Sequence, residues 1–141
     1  MSTALSGRCV CGAVRFSGTP ATMHMDACHC GICRRWSAGP FLSVNCPDLA
    51  IEDEDALATF PSSGHAERQF CRTCGSTLFW RMKDGSLTAV SAQAFDDPGG
   101  LPLEIEIFVD EKPSTYAFAG PTRKMTGAEV MAAFAGNNAN G

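Results

Sequence analysis

Apolar positions along the chain come in short bursts separated by glycine, proline and polar residues. Segments 13–17 (AVRFS), 40–45 (PFLSVN), 77–82 (TLFWRM), 86–92 (SLTAVSA) and 103–109 (LEIEIFV) are rich in β-branched and aromatic residues, which predicts strands. LEIEIFV alternates, so Leu103, Ile105 and Ile107 are expected on a buried face with Glu104 and Glu106 toward water. Asp84-Gly85 within MKDGS predicts a hairpin turn between two of the strands, and DDPGGLP at 96–102 a loop. Two stretches read as helical. CRRWSA (33–38) offers a turn or two, and TGAEVMAAFAG (126–136) offers a helix opened by a capping box of Thr126 and Glu129 and ended by Gly136. Val130, Met131 and Phe134 of that helix are expected to pack on a sheet, with 137–141 (NNANG) as a frayed tail.

Composition fits this turn-rich, mainly β picture: 45% apolar and 18% charged residues, with 14 glycines and 8 prolines in 141 residues. That length predicts one domain, residues 1–136, which buries about two-thirds of the surface of its unfolded chain and needs no disulfide to fold. A net charge of -4 provides no general positive field for phosphate backbones, which argues against a nucleic-acid partner. The N-terminal MSTALSGRCVCG lacks the basic region and apolar run of a signal peptide, and nothing elsewhere approaches a membrane-spanning length. A cytoplasmic protein without a membrane partner is therefore expected. In that compartment thiols stay reduced, and clustered cysteines are metal ligands more often than disulfides.

Seven of the eight cysteines are clustered. Cys9 and Cys11, read as strand residues two apart, face one side; Cys71 and Cys74 make a C-x-x-C turn. A glycine follows each pair, Gly12 and Gly75, and permits the tight turn that brings backbone amides to ligand sulfurs. The two motifs echo each other: RCVCGAVRF and FCRTCGSTLFW are both a cysteine pair, a glycine, then a strand. Together they would make a four-thiolate structural zinc site. Cys28, Cys30 and Cys33 then form a three-thiolate set, the plan of a zinc site with one exchangeable position. Spacing leaves open a different partition, in which Cys30 and Cys33 join Cys71 and Cys74. His29 either supplies a fourth ligand or, in an extended segment, points away from its neighbours and is hydrogen bonded or exposed. Cys46 reads as a small buried hydrophobe.

GRCVCGAVRF, ACHCGICRRWSAG, RQFCRTCGSTLFW and EIFVDEKP resemble, in that order, the glutathione-dependent formaldehyde-activating enzyme (GFA) family, over residues 7 to about 116. The resemblance implies an Mss4-like fold: mainly β, several small curved antiparallel sheets, zinc knuckles and a short C-terminal helix. It also implies two zinc ions per chain, one on Cys9, Cys11, Cys71 and Cys74 and a second, reactive and more labile, on Cys28, Cys30 and Cys33. The implied activity is that of a carbon–sulfur lyase resembling S-(hydroxymethyl)glutathione synthase. Its partners are small molecules, a thiol such as glutathione and formaldehyde or a related aldehyde. The alternative is a non-catalytic zinc-binding interaction or chaperone-like module, whereas a zinc nucleobase deaminase does not fit, because only three residues separate the H-x-E at 65–67 from Cys71-x-x-Cys74 and no proline directly precedes those cysteines.

Arg34, Arg35 and Trp36 follow the triple cluster directly. The two guanidinium forks are candidates to receive the carboxylates of an acidic thiol, or else they offset charge at the metal site. Trp36 is expected in the core. Arg68 and Arg72 read as charge compensation beside a knuckle, and His24 and His65 as surface or hydrogen-bonded residues. The oligomeric state is not legible in the sequence.

Overall fold

A computed structural model of the chain describes residues 3–139. Among them are eleven strands and two α-helices in the order β1 (Leu5–Arg8), β2 (Arg15–Gly18), β3 (Met25–Cys28), α1 (Gly31–Ser37), β4 (Phe41–Asn45), β5 (Ala50–Ile51), β6 (Leu57–Phe60), β7 (Ala66–Cys71), β8 (Thr77–Met82), β9 (Thr88–Ser91), β10 (Leu103–Ile107), β11 (Arg123–Met125) and α2 (Gly127–Ala139). The chain has the mainly β, Mss4-like fold with knuckles and a C-terminal helix that the resemblance implies. No described helix is long and apolar enough to cross a membrane. Contacts divide the chain into two compact units, one joining the segment up to His24 with Ser43–Pro102, the other joining Met25–Leu42 with the segment from Leu103 onward.

In the first unit, β1, β2 and β5 form a small antiparallel sheet. Residues 43–45 of β4 lead a second antiparallel run through β9, β8 and β7 to β6. The β8–β9 hairpin turns at Asp84-Gly85, where Gly85 has φ +81° and its N–H donates to Met82 O at 3.0 Å. Phe16 from β2 meets Phe79 from β8 edge to face at 5.0 Å between ring centroids, with Phe95 at 5.5 Å. These rings are buried with Val14, Leu78 and Val90. Short strands suffice because each delivers one or two large side chains to a shared centre.

The second unit departs from the antiparallel expectation, because β10 pairs parallel with β3 on one side and with β11 on the other. Glu106 is buried, not turned to solvent as its place in LEIEIFV predicts, because His29 and Thr122 meet its carboxylate there; Glu104 is exposed as predicted, and Leu103, Ile105 and Ile107 are half-buried. Parallel pairing also requires a crossover of about a dozen residues. Residues 108–122 provide it and carry Tyr116 and Phe118 back to within 5.8 and 5.9 Å of the His29 ring.

Helix α2 opens with the expected capping box: Glu129 N–H donates to Thr126 Oγ1 at 3.2 Å, and Thr126 N–H to Glu129 Oε1 at 2.9 Å. Val130 is buried, but Met131 and Phe134 are exposed, contrary to the expected packing on a sheet. The helix rests on β11 and on the turn at Val109–Glu111. It also continues through Gly136 to Ala139: a helical glycine costs about 1 kcal/mol, and Asn137, Asn138 and Ala139 contain no proline to force a stop. Of the expected tail, 140 and 141 lie outside the described residues.

Candidate metal centres and the His29 network

Two groups of sulfurs gather among the described residues: Cys9, Cys11, Cys71 and Cys74, and separately Cys28, Cys30 and Cys33, each group lying within 4.8 Å. All eight cysteines are free thiols. Cys46 joins neither group; it is fully buried and its thiol is pushed up to about 11 by that burial and by Asp48.

The first group sits in two turns built alike. Cys9 N–H donates to Val14 O and Cys71 N–H to Ser76 O, both at 3.0 Å, and Gly12 N–H donates back to Cys9 O at 3.2 Å as Gly75 N–H does to Cys71 O at 2.9 Å, so each knuckle is closed by the same pair of backbone bonds. Gly12 (φ +82°) and Gly75 (φ +79°) occupy the left-handed region that closure demands. Cys9 and Cys11 share a side through this turn and not through strand alternation, since β1 ends at Arg8. Amides then reach the sulfurs: Val14 N–H points to Cys9 Sγ at 3.3 Å, and Thr73 and Cys74 N–H to Cys71 Sγ at 3.4 Å each. Sulfur–sulfur distances of 3.6 Å (Cys9–Cys11) and 3.7 Å (Cys11–Cys71) fit a tetrahedron with ligand bonds of about 2.3 Å, whose edge is about 3.8 Å. Bonding to the Ser76 hydroxyl and then to backbone amides lowers the Cys74 thiol to about 5, which favours the thiolate a metal requires. The group could therefore hold a metal ion.

The second group occupies a strand-to-helix junction. Cys28 ends β3, Cys30 is the N-cap of α1, and Cys33 lies in the first turn of α1 with its N–H donating to Cys30 Sγ at 3.3 Å. The thiols of Cys28 and Cys33 lower the Cys30 thiol far below its ordinary range, while Cys28 is pushed up by Cys30, by Cys33 and by burial. Three sulfurs so close cannot all ionise without a cation among them. This set also could hold a metal ion.

Around the junction, Gly31 N–H donates to Glu111 Oε1 at 3.0 Å, and the exposed Arg35 donates to Gly31 O at 3.0 Å. Arg34 is half-buried and its Nε is buried with no hydrogen-bond partner among the described residues. Trp36 packs on Phe41 with ring centroids 5.0 Å apart. The other basic residues differ from expectation. Arg72 donates to the carbonyls of Leu57 and Asp55 at 2.8 and 3.3 Å, so it ties down backbone, and Arg68 is buried in β7.

His29 is fully buried, with Nδ1 2.9 Å from the Tyr116 hydroxyl and Nε2 2.8 Å from Glu106 Oε1. Thr122 donates to the other oxygen of Glu106, and Lys124 stands 3.6 Å from it. Burial opposes ionisation of Glu106, but the bonds from Thr122 and His29 and the charge of Lys124 outweigh it and hold the carboxyl below its usual range. Burial, then the Glu106 charge, pushes the Tyr116 phenol upward. Sequence reasoning had no hold on Glu106, Tyr116 or Thr122. They lie far downstream of His29, and only the β3–β10 pairing and its crossover bring them to it.

A family model described as glutathione-dependent formaldehyde-activating enzyme matches residues 4–111. An uncharacterized lyase of Schizosaccharomyces pombe is 30% identical over 127 residues, covering 89% of this chain and 93% of its own. A protein of Halomonas elongata, provisionally named a glutathione-dependent formaldehyde-activating enzyme, is 27% identical over 121 residues, with 77% of each chain covered. A crystal structure of a Rhodobacter sphaeroides protein shares the fold, with a TM-score of 0.57 at 23% identity, over 70% of this chain and 99% of that one.

Proposed function

The chain belongs to the glutathione-dependent formaldehyde-activating enzyme family, and from that premise we propose that it is a zinc-dependent carbon–sulfur lyase that joins a thiol to formaldehyde or a related small aldehyde, with glutathione as the thiol to test first. In this reading Cys9, Cys11, Cys71 and Cys74 hold a structural zinc within a single folding domain, and Cys28, Cys30 and Cys33 hold a second. The observation that carries the reading is the unequal count of the two groups, four sulfurs in one and three in the other. Four thiolates complete a tetrahedron; three leave a position for substrate. A zinc ion there would favour the thiolate form of an incoming thiol, which releases a proton.

The chain's own residues do the rest. Arg34, with its unpaired Nε, and Arg35 can take the carboxylates of an acidic thiol and orient its sulfur toward the aldehyde. In the reaction a sulfur–carbon bond forms, the carbonyl π pair moves to oxygen, and the proton lost from sulfur is balanced by one gained at the new hydroxyl. All the cysteines being reduced accords with the cytoplasm.

Metal analysis, thiol calorimetry and adduct formation test this together. The expected results are two zinc ions per chain, proton release when glutathione binds, and a thiol–formaldehyde rate above the uncatalysed one. Silence toward glutathione and a broad set of other thiols would transfer the chain to the reading of a non-catalytic zinc-binding module.

A further inference from the structure

The geometry points to His29 as the positioning residue of the three-sulfur group: the tether from Glu106 through the His29 ring to Tyr116 sets the rotation of the 28–30 backbone and so holds Cys28 and Cys30 in register as ligands. The inference rests on the reading of that group as a metal site.

The bonds of the network can be assigned by donors and acceptors. The Glu106 carboxylate only accepts, so Nε2 carries the hydrogen that points to it at 2.8 Å. Nδ1 lies 2.9 Å from the Tyr116 hydroxyl, which can donate to it. Thr122 donates to the second carboxylate oxygen, and Lys124 donates to Thr122 Oγ1 at 2.9 Å. Each polar atom of the His29 ring and of the Glu106 carboxylate has a partner, and both side chains are buried. Such a network has one low-energy arrangement, because any rotation of the ring strands a buried donor or acceptor.

The backbone is held at the same place. Cys28 lies opposite Ile107 in the β3–β10 ladder, and His29 N–H donates to Ile107 O at 3.0 Å. In an extended segment successive side chains point to opposite sides, so a ring held inward at position 29 turns positions 28 and 30 the other way. Those positions are the two half-buried sulfurs, Cys28 and Cys30. His29 touches no metal in this account; it acts through the backbone it rotates. Loss of comparable supporting contacts weakens metal sites by about 10–100-fold.

The test uses the full chain loaded with zinc and, separately, with cobalt, comparing wild type with His29→Gln and Tyr116→Phe. Tyr116→Phe keeps the ring volume and removes only the hydroxyl, so it protects the test against a His29 variant that does not fold. Zinc release to EDTA should show two phases in wild type. In the variants the faster phase should accelerate tenfold or more, with the slower phase unchanged. The thiolate-to-cobalt absorption of the faster site should also shift, which a general loss of stability would not produce. If wild type carries two metals and both variants match it in release and spectrum, the inference is wrong while the metal reading stands. If wild type binds a single metal, the metal reading fails and the inference with it.

Discussion

His29 Nε2 and Glu106 Oε1 lie 2.8 Å apart although 77 residues separate them in the chain, and both side chains are buried. The pair joins the segment that carries the three-sulfur group to the central strand of its unit. A carboxylate this deep survives only because histidine, threonine and lysine surround it.

Stability should therefore depend on pH through Glu106. Its carboxyl titrates below the usual range in the folded chain, so its contribution is fully present above the ordinary carboxylate pKa and is lost as pH falls through the folded value. Glu106→Gln removes the charge and keeps the shape. Near neutral pH the variant should be less stable by about 2 kcal/mol, the scale of a hydrogen bond to a charged group. Denaturant titrations of both proteins between pH 7 and pH 3 should show that gap closing toward acid. A gap independent of pH would mean that shape and not charge holds the network.

The two sulfur groups should differ in what their loss does. The four-sulfur group closes the chain between residues 9 and 74, so metal binding there is also folding energy, on the order of 10 kcal/mol by analogy with small structural zinc sites. That is comparable to the whole stability of a domain. Cys71→Ser or Cys74→Ser should give insoluble or unfolded protein. Cys30→Ser should give a folded chain with one metal fewer, read by circular dichroism and metal analysis. Equal loss of folding in both would contradict the assigned roles.

Local chemistry was legible in the sequence where it is enforced locally. Glycine after each cysteine pair, Asp84-Gly85 in the hairpin and Thr126 with Glu129 at the helix start each place a backbone conformation or a bond within a few residues. The strands Leu5–Arg8, Met25–Cys28 and Ala66–Cys71 were not legible, because sequences such as LSGR and MDAC have no alternation and become strands only by pairing, LSGR with the strand that follows it and MDAC with β10, remote in the chain. Glu106 misled for the same reason. Its alternation places it toward water as it does the exposed Glu104, and contacts with His29 and Thr122, remote in sequence, bury it.

Helix α2 should tolerate change on the side that sequence reasoning placed inward. Met131, 59% exposed, should accept Met131→Lys within about 0.5 kcal/mol, as an exposed helix position does. Thr126→Ala removes the capping bond and should cost about 1 kcal/mol, and Val130→Ala about 2 kcal/mol for a buried apolar side chain. Thermal melts rank the three. A larger loss for Met131→Lys than for Val130→Ala would reverse the assignment of the buried face.

Arg34 should separate acidic thiols from neutral ones. Its buried Nε has no hydrogen-bond partner among the described residues, and leaving such a donor unpaired is costly unless a ligand meets it. A carboxylate offers the planar pair of acceptors that a guanidinium fork matches and a lysine ammonium does not. With formaldehyde as co-substrate, Arg34→Lys and Arg34→Ala should raise KM for glutathione by roughly tenfold or more, the equivalent of one charge-assisted hydrogen bond, and leave kcat nearly unchanged. The same variants should handle 2-mercaptoethanol, which has no carboxylate, as wild type does. Arg35, exposed and already bonded to Gly31 O, should show a smaller effect on both thiols. If Arg34→Ala slows both thiols equally and also loses metal, the arginine supports the sulfur group instead of reading the substrate.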